Sequence, residues 1–199
     1  MFAPRYDAHM KRRTLLLGGA GLVAMGAAGV LAWRESSLRA PQANRAVNQG
    51  AVIPTPPDLE ALFAASLPDA FGRETALESF RGEPLLINFW ATWCPPCVAE
   101  MPDLEMLSKS FSSVQFVGIA VDTAANVKQF LAKIPVSYPI MVSGHAGIAL
   151  VRAMGNPAGA LPYTVLVTPN GRVKEQILGP VKADALKVQL EQLLASSRR

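Results

Sequence analysis

The stretch LLINFWATWCPPC, residues 85–97, constrains this chain most. Its first part is a short apolar run bounded by Pro84 and a cysteine, which suits a strand buried on both faces. Two prolines then separate Cys94 from Cys97, and Pro95 and Pro96 fit a helix only in its first turn. Val98, Met101, Leu104 and Leu107 continue with helical spacing, and Pro102 inside that pattern predicts a kink. A buried strand therefore hands a cysteine pair to the start of a helix.

The rest of the domain alternates in the same way. Residues 114–122, VQFVGIAVD, read as a second buried strand, AANVKQFLAKI as a helix, and HAGIALVRAMG as another closed by Gly155. Residues 163–178 read as two strands around a Pro-Asn-Gly turn, and KADALKVQLEQLLAS as an amphipathic C-terminal helix. The turn-rich SLPDAFGR opens the domain. Together these predict an α/β fold, a central mixed β-sheet flanked by helices.

Cys94 and Cys97 are the only cysteines among 199 residues, so no disulfide scaffold holds the fold. A structural bridge between them would close too small a loop to stabilise much. Structural zinc needs about four ligands, and His145 is the domain's only histidine. Met101, Met106, Met141 and Met154 read as core rather than copper ligands, so no metal site is expected. A redox pair has a mechanism: at a helix N-terminus, free N–H groups and the helix dipole favour the Cys94 thiolate, which attacks a disulfide sulfur. Cys97, one turn on, reaches back to resolve the mixed disulfide.

With NFWATW before the C-x-x-C and Pro162 opening a strand in GALPYTVLV, the segment LLINFWATWCPPCVAEMPDLEML resembles the thioredoxin superfamily, specifically its bacterial TlpA/ResA-like branch of membrane-tethered thiol–disulfide oxidoreductases. The resemblance covers most of residues 58–199. It implies a thioredoxin fold with an insertion, VSYPIMVSGHAGIALVRAMGN, before the cis-proline strand. It implies a cis bond at Pro162 and a Leu161 backbone that pairs with an extended substrate. Thioredoxin's buried aspartate is replaced by Asn88, which does not titrate. Glu100, three residues after Cys97, matches a glutamate of the ResA-like members, a solvated helix residue being the alternative. Tyr163 stands where thioredoxin has threonine and leaves the substrate surface open. Trp90 and Trp93 pack around the site, with Trp93 also placed to flank a groove.

The N-terminus predicts location. Lys11, Arg12 and Arg13 precede twenty uncharged residues, 14–33, long enough to span a bilayer, with Trp33 and Arg34 at the far boundary. Five glycines argue against a soluble helix. Either a retained anchor or a cleaved signal, with Arg12-Arg13 similar to a twin-arginine signal, puts the domain outside the cytoplasm. The expected organisation is a basic tail over 1–13, an anchor or signal over 14–33, a linker over 34–57 and the thioredoxin-like domain over 58–199. Of the net charge of +4, residues 1–57 carry +5 and the remainder −1. No basic face for nucleic acid is therefore expected on the domain.

The resulting expectation is a periplasmic enzyme, anchored in the bacterial inner membrane, without a cofactor. It reduces protein disulfides, with cytochrome c maturation as one destination, and takes electrons from a membrane thiol donor. A thiol oxidase or isomerase, or a non-catalytic copper-binding or interaction module, is the alternative.

Overall fold

A computed structural model describes residues 58–197. The tail, the 14–33 segment and the linker lie outside the described residues. Among the described residues no helix is long and apolar enough to cross a membrane.

The predicted strand at the cysteines is β3, Leu85–Trp90, with all six residues buried. Strands β1 (Ser66–Pro68) and β2 (Glu74–Ala76) precede it, and β4 (Gln115–Ala120), β5 (Ile140–Val142), β6 (Tyr163–Val167) and β7 (Val173–Leu178) follow. The main sheet runs β5-β4-β3-β6-β7, and β1 pairs with β2 apart from it. β4 lies parallel to β3 and β5, whereas β6 is antiparallel to β3 and β7, so the sheet is mixed. The Pro169-Asn170-Gly171 turn joins β6 to β7, and Gly171 adopts φ +71°, which a side chain would strain.

Helices α1 (Leu59–Phe63), α2 (Pro95–Ser110), α3 (Ala124–Leu131), α4 (Gly147–Ala153) and α5 (Ala183–Ser197) cover both faces. Alternation along β3 divides the core. Leu86 and Trp90 face Leu104 of α2, Val127 of α3 and Leu190 of α5. Leu85, Ile87 and Phe89 face Leu62 of α1 and Val151 of α4. The segment before the cis-proline strand supplies the edge strand β5 as well as the expected helix.

Helix α2 starts at Pro95 as its prolines require and buries Met101, Leu104 and Leu107. It continues through Pro102, which is exposed. Met106 departs from the expectation of a core residue: it is 51% exposed. It lies off the 101–104–107 stripe, and the stripe, not side-chain type, decides burial. Met101, Met141 and Met154 are buried as expected.

Candidate active site

The site forms where β3 ends. Cys94 is the N-cap of α2, in extended conformation, and its N–H donates to the Ala91 carbonyl at 3.2 Å. Its carbonyl accepts from the Val98 N–H at 3.1 Å, starting the helix ladder. Cys94 and Cys97 are joined as a disulfide with Cα atoms 5.3 Å apart. Cys94 is the more accessible, 6% exposed against 0% for Cys97. Pro95 and Pro96, between them, are exposed. Trp93 is 59% exposed beside the pair, whereas Trp90 is enclosed in the core.

Glu100 is buried, 3% exposed, so the solvated alternative does not hold. Its carboxylate accepts 2.8 Å hydrogen bonds from Asn88 Nδ2 of β3 and from the Val181 N–H just before α5. Asn88 Nδ2 also donates to Thr164 Oγ1 of β6 at 3.0 Å. Burial pushes the Glu100 pKa up to about 7, the bonds from Val181 and Asn88 opposing the rise and the Asp103 charge adding to it. A carboxyl that titrates near neutrality thus sits one turn beyond Cys97 on the same helix.

The Leu161–Pro162 peptide is cis. Leu161 is half-buried and packs on the apolar cluster that contains both cysteines. Among the described residues neither its amide nor its carbonyl makes a backbone hydrogen bond. Tyr163 is removed from any substrate surface. It is fully buried, stacks on Phe89 with centroids 5.9 Å apart, and donates its hydroxyl to the Met154 carbonyl. It pairs with Phe89 in the sheet and so shares that residue's face, opposite Asn88 and Trp90.

One residue escaped the sequence reading. Asp122, just past β4, is 1% exposed and accepts from both the N–H and the hydroxyl of Thr92, in the turn leading to Cys94. A carboxylate ending an otherwise apolar strand was the available signal. Among the described residues no group of three or more His, Cys, Asp or Glu is placed to hold a metal ion. His145 is exposed ahead of α4.

A cysteine pair at the start of the helix that follows the central strand, on this mixed sheet, defines a thioredoxin-fold thiol–disulfide oxidoreductase. The chain belongs to the Redoxin family, whose model matches residues 52–194. It is 33% identical over 130 residues to the thiol-disulfide oxidoreductase ResA of Geobacillus thermodenitrificans, covering 64% of this chain and 72% of that one. The protein of that name from Bacillus anthracis is 29% identical over 128 residues, covering 63% and 72%. Among solved structures, MTB dsbF superimposes with a TM-score of 0.59 at 27% identity, over 67% of this chain and 97% of that one. The thioredoxin-related protein of Neisseria meningitidis serogroup B does so at 0.58 and 34%, over 65% and 98%.

Proposed function

We propose that this chain is an exported protein-disulfide reductase, held at the bacterial inner membrane by residues 14–33, with the domain in the periplasm. The observation that carries its thiol–disulfide exchange is the asymmetry of the pair: Cys94 at the helix start, Cys97 sealed behind it, and the buried Glu100 carboxyl one turn further on.

The Cys94 thiolate attacks a substrate disulfide sulfur. An S–S bond to Cys94 forms, the substrate bond breaks, and the leaving substrate thiolate takes up a proton. Cys97 then loses its proton and attacks Cys94 Sγ, which forms the Cys94–Cys97 disulfide and expels the second substrate sulfur as a thiol. The substrate gains two electrons and two protons, and the pair is oxidised. Glu100 is the group we assign to accept the Cys97 proton, since Asn88 has none to exchange. Pro95 and Pro96 stiffen the turn, Trp93 and the free Leu161 backbone bound the place where an extended substrate lies, and Pro162 fixes that loop.

Substrates of this reading are oxidised envelope proteins, apocytochrome c among them. A membrane thiol donor returns the pair to the dithiol, because the periplasm itself is oxidising. Tethering supports this direction by holding the domain near such a donor at high effective concentration. The deciding measurement is equilibration of the purified domain with glutathione and dithiothreitol buffers. A potential near that of thioredoxin, about −270 mV, supports the reductase, and one near that of DsbA, about −120 mV, replaces it with an oxidase.

A further inference from the structure

Asp122 lies between the end of β4 and the N-cap Thr123 of α3, and it accepts more hydrogen bonds than capping that helix needs. Its carboxylate accepts four hydrogen bonds: from Thr92 N–H at 3.0 Å, from Thr92 Oγ1, from Thr123 N–H at 2.7 Å and from Asn126 Nδ2 at 2.8 Å. That fills the acceptor capacity of an ionised carboxylate. Burial raises its pKa, but the bonds from Thr92, Asn126 and Thr123 outweigh it and leave the group below the ordinary aspartate range. Every donor is neutral, and no charged side chain contributes to that balance. A buried charge without a counter-ion costs stability, and Thr92 alone could be held by a neutral acceptor.

The charge lies behind the reactive turn. Thr92 precedes Cys94 by two residues, and the Cys94 N–H closes back on Ala91. Two residues span at most about 7 Å, so the carboxylate lies on the order of 10 Å or less from the Cys94 backbone. Screening at that range is weaker for a buried charge than for a surface one. The other groups around the turn are few. Helix α2 brings Glu100 and Asp103, the segment before α5 brings the exposed Lys182, and residues 91–93 and 156–162 bring no titratable side chain, although Arg152 of α4 lays its Nε against Gly159 of that loop. Lys128 of α3 sits over the ring of Phe71 at 5.2 Å.

We propose that Asp122 is a positioning residue with an electrostatic duty: its fixed negative charge behind the Cys94 turn opposes the thiolate and moves the pair toward the reducing side. A like charge disfavours the ionised thiol. Whatever destabilises the dithiol form relative to the disulfide lowers the reduction potential. The proposal rests on the redox reading of Cys94 and Cys97, and it supplies a cause for the direction assigned above.

Three single variants test it: Asp122→Asn removes the charge, Asn126→Lys sets a cation against it at an exposed position, and Thr92→Val removes one hydrogen bond while keeping it. The readouts are the equilibrium constant with glutathione and the pH midpoint of Cys94 alkylation. Asp122→Asn and Asn126→Lys should each shift the equilibrium toward the dithiol by about threefold to tenfold, roughly 15 to 30 mV, and lower the Cys94 midpoint. Thr92→Val should leave both within about twofold, a change that one lost neutral hydrogen bond does not convert into charge. Asn126→Lys keeps the test alive where Asp122→Asn fails to fold. Unchanged values in the charge variants, or an equal shift in Thr92→Val, overturn the proposal and reduce Asp122 to a brace. A wild-type potential at the oxidising end would instead remove the reductase assignment, and the sign of these shifts would still decide the part of Asp122.

Discussion

Glu100 of α2 and Asn88 of β3 meet in the core through a 2.8 Å hydrogen bond, and this contact joins the active-site helix to the central strand beneath it. Asn88 donates and Glu100 accepts, so the bond favours the ionised carboxyl while burial favours the neutral one. Burial is the larger influence, and the group titrates near 7.

Exchange should therefore depend on Glu100 around neutrality. In Glu100→Gln, release of the mixed disulfide by Cys97 should slow about tenfold or more, and the inflection of rate against pH near 7 should vanish. Stopped-flow rates from pH 5 to 9 measure this. Superimposable profiles would return Glu100 to a structural part.

The same residue predicts a pH-dependent stability. The unfolded chain releases the Glu100 proton near its ordinary value of 4.5, the folded chain near 7. The folded state thus holds more protons between those values, and stability falls as pH rises through them, by on the order of 3 kcal/mol. Denaturant unfolding at pH 4.5, 6 and 8 should show the slope in the wild type. In Glu100→Gln that slope should be largely absent.

Cys94→Ala should abolish exchange, whereas Cys97→Ala should accumulate partners bound covalently through Cys94. Mass spectrometry of trapped adducts reads this directly. Adducts formed through Cys97 in a Cys94→Ala chain would reverse the roles.

Tyr163→Phe should cost about 1 kcal/mol of stability, because its hydroxyl serves the Met154 carbonyl in the core. Exchange with peptide disulfides should stay within about twofold of wild type, on the view that a residue on the far face of the sheet touches no substrate. A large loss of rate at unchanged stability would place Tyr163 at the substrate after all.

On the proposed anchoring by residues 14–33, 20 uncharged residues behind three adjacent cations, the full chain should fractionate with the inner membrane and be labelled only from the periplasmic side. A soluble periplasmic form beginning near Trp33 would replace anchoring with cleavage.

The sequence reading succeeded where chemistry is local. Pro95 and Pro96 set the start of α2, Asn170-Gly171 set the β6–β7 turn, and the apolar run at 85–90 set the central strand. It stopped short where partners are distant. Glu100 is held by Val181, 81 residues away, and no helical spacing reveals that. Asp122 acquires its meaning only when Thr92, 30 residues earlier, folds against it. Strands β1, β2 and β5 have three residues each, too few for alternation to register. Met106 misled because its type was read without its angular position on α2.

The two prolines that open α2 also thin out what its N-terminus offers an anion. Of the first three helical positions, Pro95 and Pro96 have no N–H, which leaves the amide of Cys97 alone. A helix start that elsewhere cradles phosphate with several amides presents one here. Any negative species arriving at this face, a substrate carboxylate or a free anion as much as the sulfur of Cys94, meets a dipole with little hydrogen-bonding grip. An anion at this surface therefore has a single helix amide to draw on.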